Sequence, residues 1–181
     1  MDIAYLRRRL PDIDAWIVDV IQQYRNVARP VASLDFKRLP GYFTRKTLSE
    51  AFFAVVDSVP RPPLTSLGLS EFADLERMDF ERMDFDGITY RNLYFLRREH
   101  GLNESLHFHE LVHIVQWRAL GAERFLLAYA MGLHSAGEYR SNPFEQIAFD
   151  LEDRFVRQQA PFDAERLVLQ HLQKPGVVNL A

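Results

Sequence analysis

Apolar residues recur at Ile13, Trp16, Ile17, Val20, Ile21 and Tyr24, the three- and four-residue spacing of one helical face. Arg29-Pro30 marks the end of that helix. Residues 31–50 are mixed, with a turn signal at Pro40-Gly41. Ala51 to Val59 is a short continuous apolar run closed by Pro60, the pattern of a buried strand. Pro60, Pro62 and Pro63 then keep the chain extended and irregular. Gly87 to Arg97 is β-branched and aromatic and predicts a second strand. Asn103 is placed to cap a helix from Glu104 to Leu120, with Gly121 as its stop. A further helix is predicted over Ala122–Met131, and a loop over Ser135–Ser141. Asn142 as cap and Pro143 at the first helical position open a last long helix to about Gln159. A short helix over Ala164–Gln173 follows. Strands come early and helices late, which predicts an α+β class.

A chain of 181 residues suits a single domain spanning residues 1–181, and no linker divides it. The tandem ERMDF-ERMDF within residues 76–86 is too short for a repeat architecture and reads as a local duplication in a surface segment. Aromatic residues make up 13% of the chain, enough bulk for a real core. The formal net charge of −3 argues against a non-specific nucleic-acid binder. No stretch approaches a membrane span, and the order of charged and apolar residues at the N-terminus is not that of a signal peptide. A soluble, cytoplasmic protein is the expectation. There is no cysteine, so thiolate metal sites, disulfides and a cysteine nucleophile are excluded. Any metal must be held by His, Asp or Glu.

The chemistry concentrates in Leu106–Trp117, LHFHELVHIVQW, which contains His109-Glu110-Leu111-Val112-His113. On a helix, positions i and i+4 share a face, so both imidazoles reach one metal ion. Glu110 stands one step round, beside the ion, where it can take a proton from a metal-bound water. Phe108, Leu111, Val112, Val115 and Ala119 surround these groups with apolar surface. Burying ionisable groups without partners is costly, which favours a shared metal ion; the alternative is a solvated stripe with His–Glu hydrogen bonds.

The third ligand separates the zinc hydrolase classes. Gln116 and Ala119 stand where a metzincin needs its glycine and third histidine, which excludes that class. A gluzincin takes a downstream Glu instead, and Glu145 and Glu138 are the candidates. Glu145, in the first turn of a helix, is the more rigidly placed. Asn142-Pro143-Phe144-Glu145 also has capping-box spacing, which would explain Glu145 with no metal. His107 is two residues from His109, on nearly the opposite side of the helix, and reads as a packed or exposed side chain. His100 and His134 fall in predicted loops. Tyr139 is a candidate to stabilise a developing oxyanion, with a packed loop aromatic as the alternative.

HELVHIVQW, the following Gly121 and NPFEQIA resemble the small bacterial HExxH proteins of gluzincin type. These are similar to the catalytic core of thermolysin-like peptidases, reduced to one compact zincin-like domain. The resemblance runs from Leu106 to Asp153, about a quarter of the chain. It implies a Zn2+ ion held by His109, His113 and Glu145, with Glu110 as general base and a peptide or protein as substrate. GITYRNLYFL is similar to the strand that precedes the active helix in zincins, which lies at the sheet edge and pairs with an extended substrate. One position departs. Thermolysin-like enzymes place an Asp four residues after the ligand Glu to orient a metal-bound His, and Phe149 stands there in this chain. Asp150 or Asn142 are the substitutes nearest in sequence.

Two readings follow. One is a zinc-dependent metallopeptidase. The other is a non-catalytic zincin-type domain that binds a protein partner around a structural metal. Under either, the first ~45 residues precede the site and form an amphipathic helix that could cover its cleft.

Overall fold

The computed structural model describes residues 3–69, 85–136, 139–157 and 160–178. Most of the tandem ERMDF segment and Glu138 lie outside these residues.

Helix α1 runs from Ile3 to Tyr24. It begins ten residues before the expected Ile13 and passes through Pro11. Leu6 and Leu10 explain the extension: both are buried with Ile13, Ile17 and Val20 on one stripe. That burial outweighs the hydrogen bond that a mid-helix proline removes. Strand β1 (Arg29–Pro30) follows, then helix α2 (Arg45–Glu50), capped by Thr44, and strand β2 (Phe52–Val56). Within β2, Phe53, Ala54 and Val56 are buried while Val55 faces out, so the predicted buried strand is shorter than its apolar run.

The single strand expected over Gly87–Arg97 is a hairpin, β3 (Gly87–Tyr90) and β4 (Leu93–Arg97). Arg91 and Asn92 make the turn, and Arg91 adopts φ 57°, a left-handed conformation carried here by a residue that does not advertise it. The Arg91 guanidinium secures the turn by contacting both oxygens of Asp14 on α1, at 2.6 and 2.7 Å. The four strands pair in the order β1-β2-β4-β3. The β2–β4 pair is parallel, with Phe53 opposite Tyr94, and the two outer pairs are antiparallel, leaving β3 at the edge. Helices and one small mixed sheet are compatible with the α+β expectation.

Helix α3 (Glu104–Ala136) is the centre of the molecule, and every residue from His107 to Trp117 is buried. Asn103 Oδ1 accepts from the Leu106 N–H at its start. Gly121 breaks the helix as predicted: at φ 73° and ψ 167° it turns the chain before the helix resumes. The second half then continues to Ala136, past the expected end at Met131, so His134 ends a helix rather than lying in a loop. Across the kink, Trp117 stacks on Phe125 with ring centroids 4.1 Å apart. Helix α4 (Pro143–Val156) opens as expected, with Asn142 Oδ1 accepting from the Phe144 N–H. It ends at Val156, before the expected Gln159. Helix α5 (Ala164–Leu172) matches its prediction within a residue and is capped by Asp163. One core joins α1, α3, α4, α5 and the sheet, with Phe108 packed on Tyr42, Phe43 and Phe155. No described helix is long and apolar enough to cross a membrane.

Candidate metal centre

His109 and His113 lie one turn apart on the buried half of α3, and Glu145 faces them from the first turn of α4. The two Nε2 atoms are 3.1 Å apart. Each is 3.4 Å from one oxygen of Glu145. The two oxygens differ, Oε2 facing His109 and Oε1 facing His113, so the two imidazoles and the carboxylate form a triangle of three groups whose ligand atoms all lie within 4.8 Å of one another. Tetrahedral zinc with bonds of about 2.0–2.1 Å needs donors about 3.4 Å apart. The residues present fit the ion.

Hydrogen bonds outside the triangle aim it. His109 donates its Nδ1–H to Glu152 Oε2 at 3.1 Å. His113 donates its Nδ1–H to Gln116 Oε1 at 2.8 Å, and the Gln116 amide donates to the Phe144 carbonyl at 2.9 Å. Both imidazoles are thereby turned with Nε2 inward. Tyr129, on the far side of the Gly121 kink, donates to Glu145 Oε1 at 2.6 Å. Glu145 Oε2 is buried and accepts no hydrogen bond, an orphan of the kind a cation satisfies. Phe149 packs against the His109 ring, with centroids 4.7 Å apart.

Several expectations are settled by these positions. The capping box is not formed, because the Asn142 N–H donates to the Tyr139 carbonyl and Glu145 points the other way, toward the histidines. Neither Asp150 nor Asn142 takes the role vacated at Phe149. Asp150 is exposed, and Asn142 is spent on capping α4 and on the Tyr129 carbonyl. Glu152, seven residues after Glu145 and so two turns along the same face, orients His109 instead. The signal for it was that spacing, and the signal for Gln116 was its place one turn after His113. His107 is packed, with one ring nitrogen at the Tyr94 hydroxyl and Nε2 at the Gly101 carbonyl. His100 pairs with Asp86 in a short turn, and His134 is exposed. Glu138 lies outside the described residues.

Glu110 is buried beside the triangle. Its Oε2 accepts from the Thr89 hydroxyl on β3 at 2.5 Å. Gly87 makes room for the other oxygen, since a Cβ there would come within 2.9 Å of Glu110 Cδ and closer still to Oε1. Edge strand β3 therefore shapes this carboxylate through two residues. No protein-family model, curated protein or solved structure matches the chain.

The charge states follow from burial and neighbours. Burial raises the Glu110 carboxyl above its ordinary range, although His113 and His109 pull against it. Burial opposes charge on His109 too, but Glu145 and Glu152 outweigh it and push its pKa up to about 10. His113 is raised in the same direction, with burial overcome by Glu145. Glu145 stays ionised despite burial, held by the two histidines. Burial and the Glu145 charge hold the Tyr129 and Tyr139 hydroxyls protonated, as donors. Without an ion, then, the imidazoles favour their protonated form, and a metal would displace those protons. Tyr139 lines the same cavity as Glu110, His113 and Glu145.

Proposed function

We propose that the chain is a zinc-dependent hydrolase of peptide bonds, with His109, His113 and Glu145 as metal ligands and Glu110 as general base. The observation that carries this reading is the triangle of two Nε2 atoms and a carboxylate, one of whose oxygens is buried without a hydrogen bond. It supports the gluzincin-type reading of the motif, including a zincin-like arrangement of edge strand, motif helix and ligand helix.

A bound zinc ion would supply a Lewis acid that polarises a carbonyl and acidifies water. Glu110, with a carboxyl lifted by burial, takes the proton of the attacking water on its free oxygen and passes it to the leaving amine. Thr89 holds the other oxygen and fixes the carboxylate plane. Glu152 and Gln116 keep the imidazoles in register. Tyr139, which lines the same cavity with a protonated hydroxyl, would donate to the developing oxyanion.

Purified protein should take up about one zinc per chain, and His113→Ala and Glu145→Ala should not. Glu110→Gln should retain the metal and lose hydrolysis of a mixed peptide library. Hydrolysis undiminished in Glu110→Gln would sink the mechanism. The rival reading, a protein-binding domain around a structural metal, requires zinc uptake with no turnover of any peptide by the wild type.

A further inference from the structure

A cavity of about 170 Å³ opens beside Glu110, His113 and Glu145. Among the described residues its lining is otherwise almost wholly apolar. Leu6, Leu10 and Ile13 contribute from α1, Ile88 from β3, and Trp117 and Phe125 from the two sides of the Gly121 kink. Its α1 lining is anchored to the hairpin by the Arg91–Asp14 contact and by an edge-to-face pair of Trp16 with Tyr90, centroids 5.5 Å apart. A closed apolar cavity of about 150 Å³ accepts a benzene ring. Away from Glu110, His113, Glu145 and the Tyr129 and Tyr139 hydroxyls, this half-open lining offers few partners for a charged or amide-bearing side chain, so such a group would lose hydration there with little compensation.

We propose that this chamber receives a single compact apolar group, an aromatic ring or a branched aliphatic chain, from the molecule on which the metal centre acts. The N-terminal helix is then the specificity wall: Leu6, Leu10 and Ile13 set the size of the group that enters. Placement of that group beside a cleaved bond rests on the metal-centre reading, whereas the chamber's own affinity for an apolar ring does not.

Two probes separate these parts. Toluene is titrated into metal-free protein by NMR, and zinc-loaded protein is titrated calorimetrically with acetohydroxamate and with 3-phenylpropanohydroxamate. Wild type should bind toluene saturably and prefer the phenyl-bearing hydroxamate by about tenfold or more. Ala130→Phe, which fills the chamber from a half-buried position on α3, should abolish toluene binding and bring the two hydroxamates to near-equal affinity. Leu10→Ala enlarges the chamber from the other helix and should shift preference from toluene to naphthalene, a test that survives if Ala130→Phe misfolds. Zinc uptake with no toluene binding, or with equal affinity for both hydroxamates in the wild type, overturns the proposal. Toluene binding without zinc uptake supports the chamber and overturns the metal reading.

Discussion

Glu145 makes three relations at once: it faces two imidazoles, accepts from Tyr129, and keeps one buried oxygen with no hydrogen bond. If the proposed centre binds zinc, the groups that hydrogen-bond its histidines should matter nearly as much as the ligands. Glu152→Ala and Gln116→Ala each remove the acceptor that aims an imidazole, and each should weaken zinc binding about 10- to 100-fold in a competition titration with a chelator. Unchanged affinity in both would mean that packing alone orients the rings. The pH dependence follows from His109. Its pKa rises from an unfolded value near 6.5 to about 10 in the metal-free fold. The stabilisation that this proton gives the metal-free protein is complete below about pH 6.5 and is lost as pH climbs through about 10. Zinc competes with the same proton, so its apparent affinity should rise about tenfold per pH unit for each proton displaced across that window. The zinc-induced increase in Tm should therefore widen from pH 6.5 to 9.5, and a flat difference would contradict the assignment. The grouping of His109, Glu110 and His113 was legible because i, i+4 spacing is a local property of a helix. Glu145 was legible because Asn142 and Pro143 announce a helix start. Glu152, Gln116, Tyr129 and Thr89 were not, since what each touches is fixed by how separate turns, helices and a strand pack.

At the scale of elements, two glycines position the centre. Gly87 lets β3 approach the Glu110 carboxylate, so Gly87→Ala should leave zinc uptake intact while lowering hydrolysis about tenfold or more, because the displaced carboxylate loses its alignment. Gly121 meets no neighbour that a methyl group would strike, and its constraint is its φ of 73°. Gly121→Ala should cost about 1 kcal/mol or more in denaturant unfolding and loosen Tyr129 from Glu145. The helical elements were read well because their caps and periodicity are local. The hairpin was missed because Arg91-Asn92 lacks the glycine that marks such turns, and its conformation is sustained by the distant contact with Asp14. The early start of α1 was not legible because Leu6 and Leu10 are buried by residues distant in sequence, from Leu64 and Leu69 to Trp117 and Phe125.

For the whole molecule, the decisive question is whether α1 is a removable cover or a part of the body. Leu6, Leu10, Ile13, Ile17 and Val20 are all buried in the common core. Burying each such side chain contributes about 1.5–3 kcal/mol, so the stripe together is comparable to the entire stability of an ordinary domain. Removal of residues 1–28 should therefore yield a chain without a cooperative thermal transition, rather than a more active enzyme. A folded, more active truncation would restore the reading of the N-terminal segment as a cover over the cleft. The same packing has a consequence for biosynthesis. Val20 and Trp117 are separated by roughly 100 residues, which at ribosomal rates of about 5–20 residues per second is an interval of about 5–20 s. Throughout that interval α1 is synthesised but its partner helix is not, and an apolar stripe stands open at the ribosome. The nascent chain should accordingly be a client of chaperones that hold exposed hydrophobic segments, until the helix bearing the two histidines emerges and closes over it.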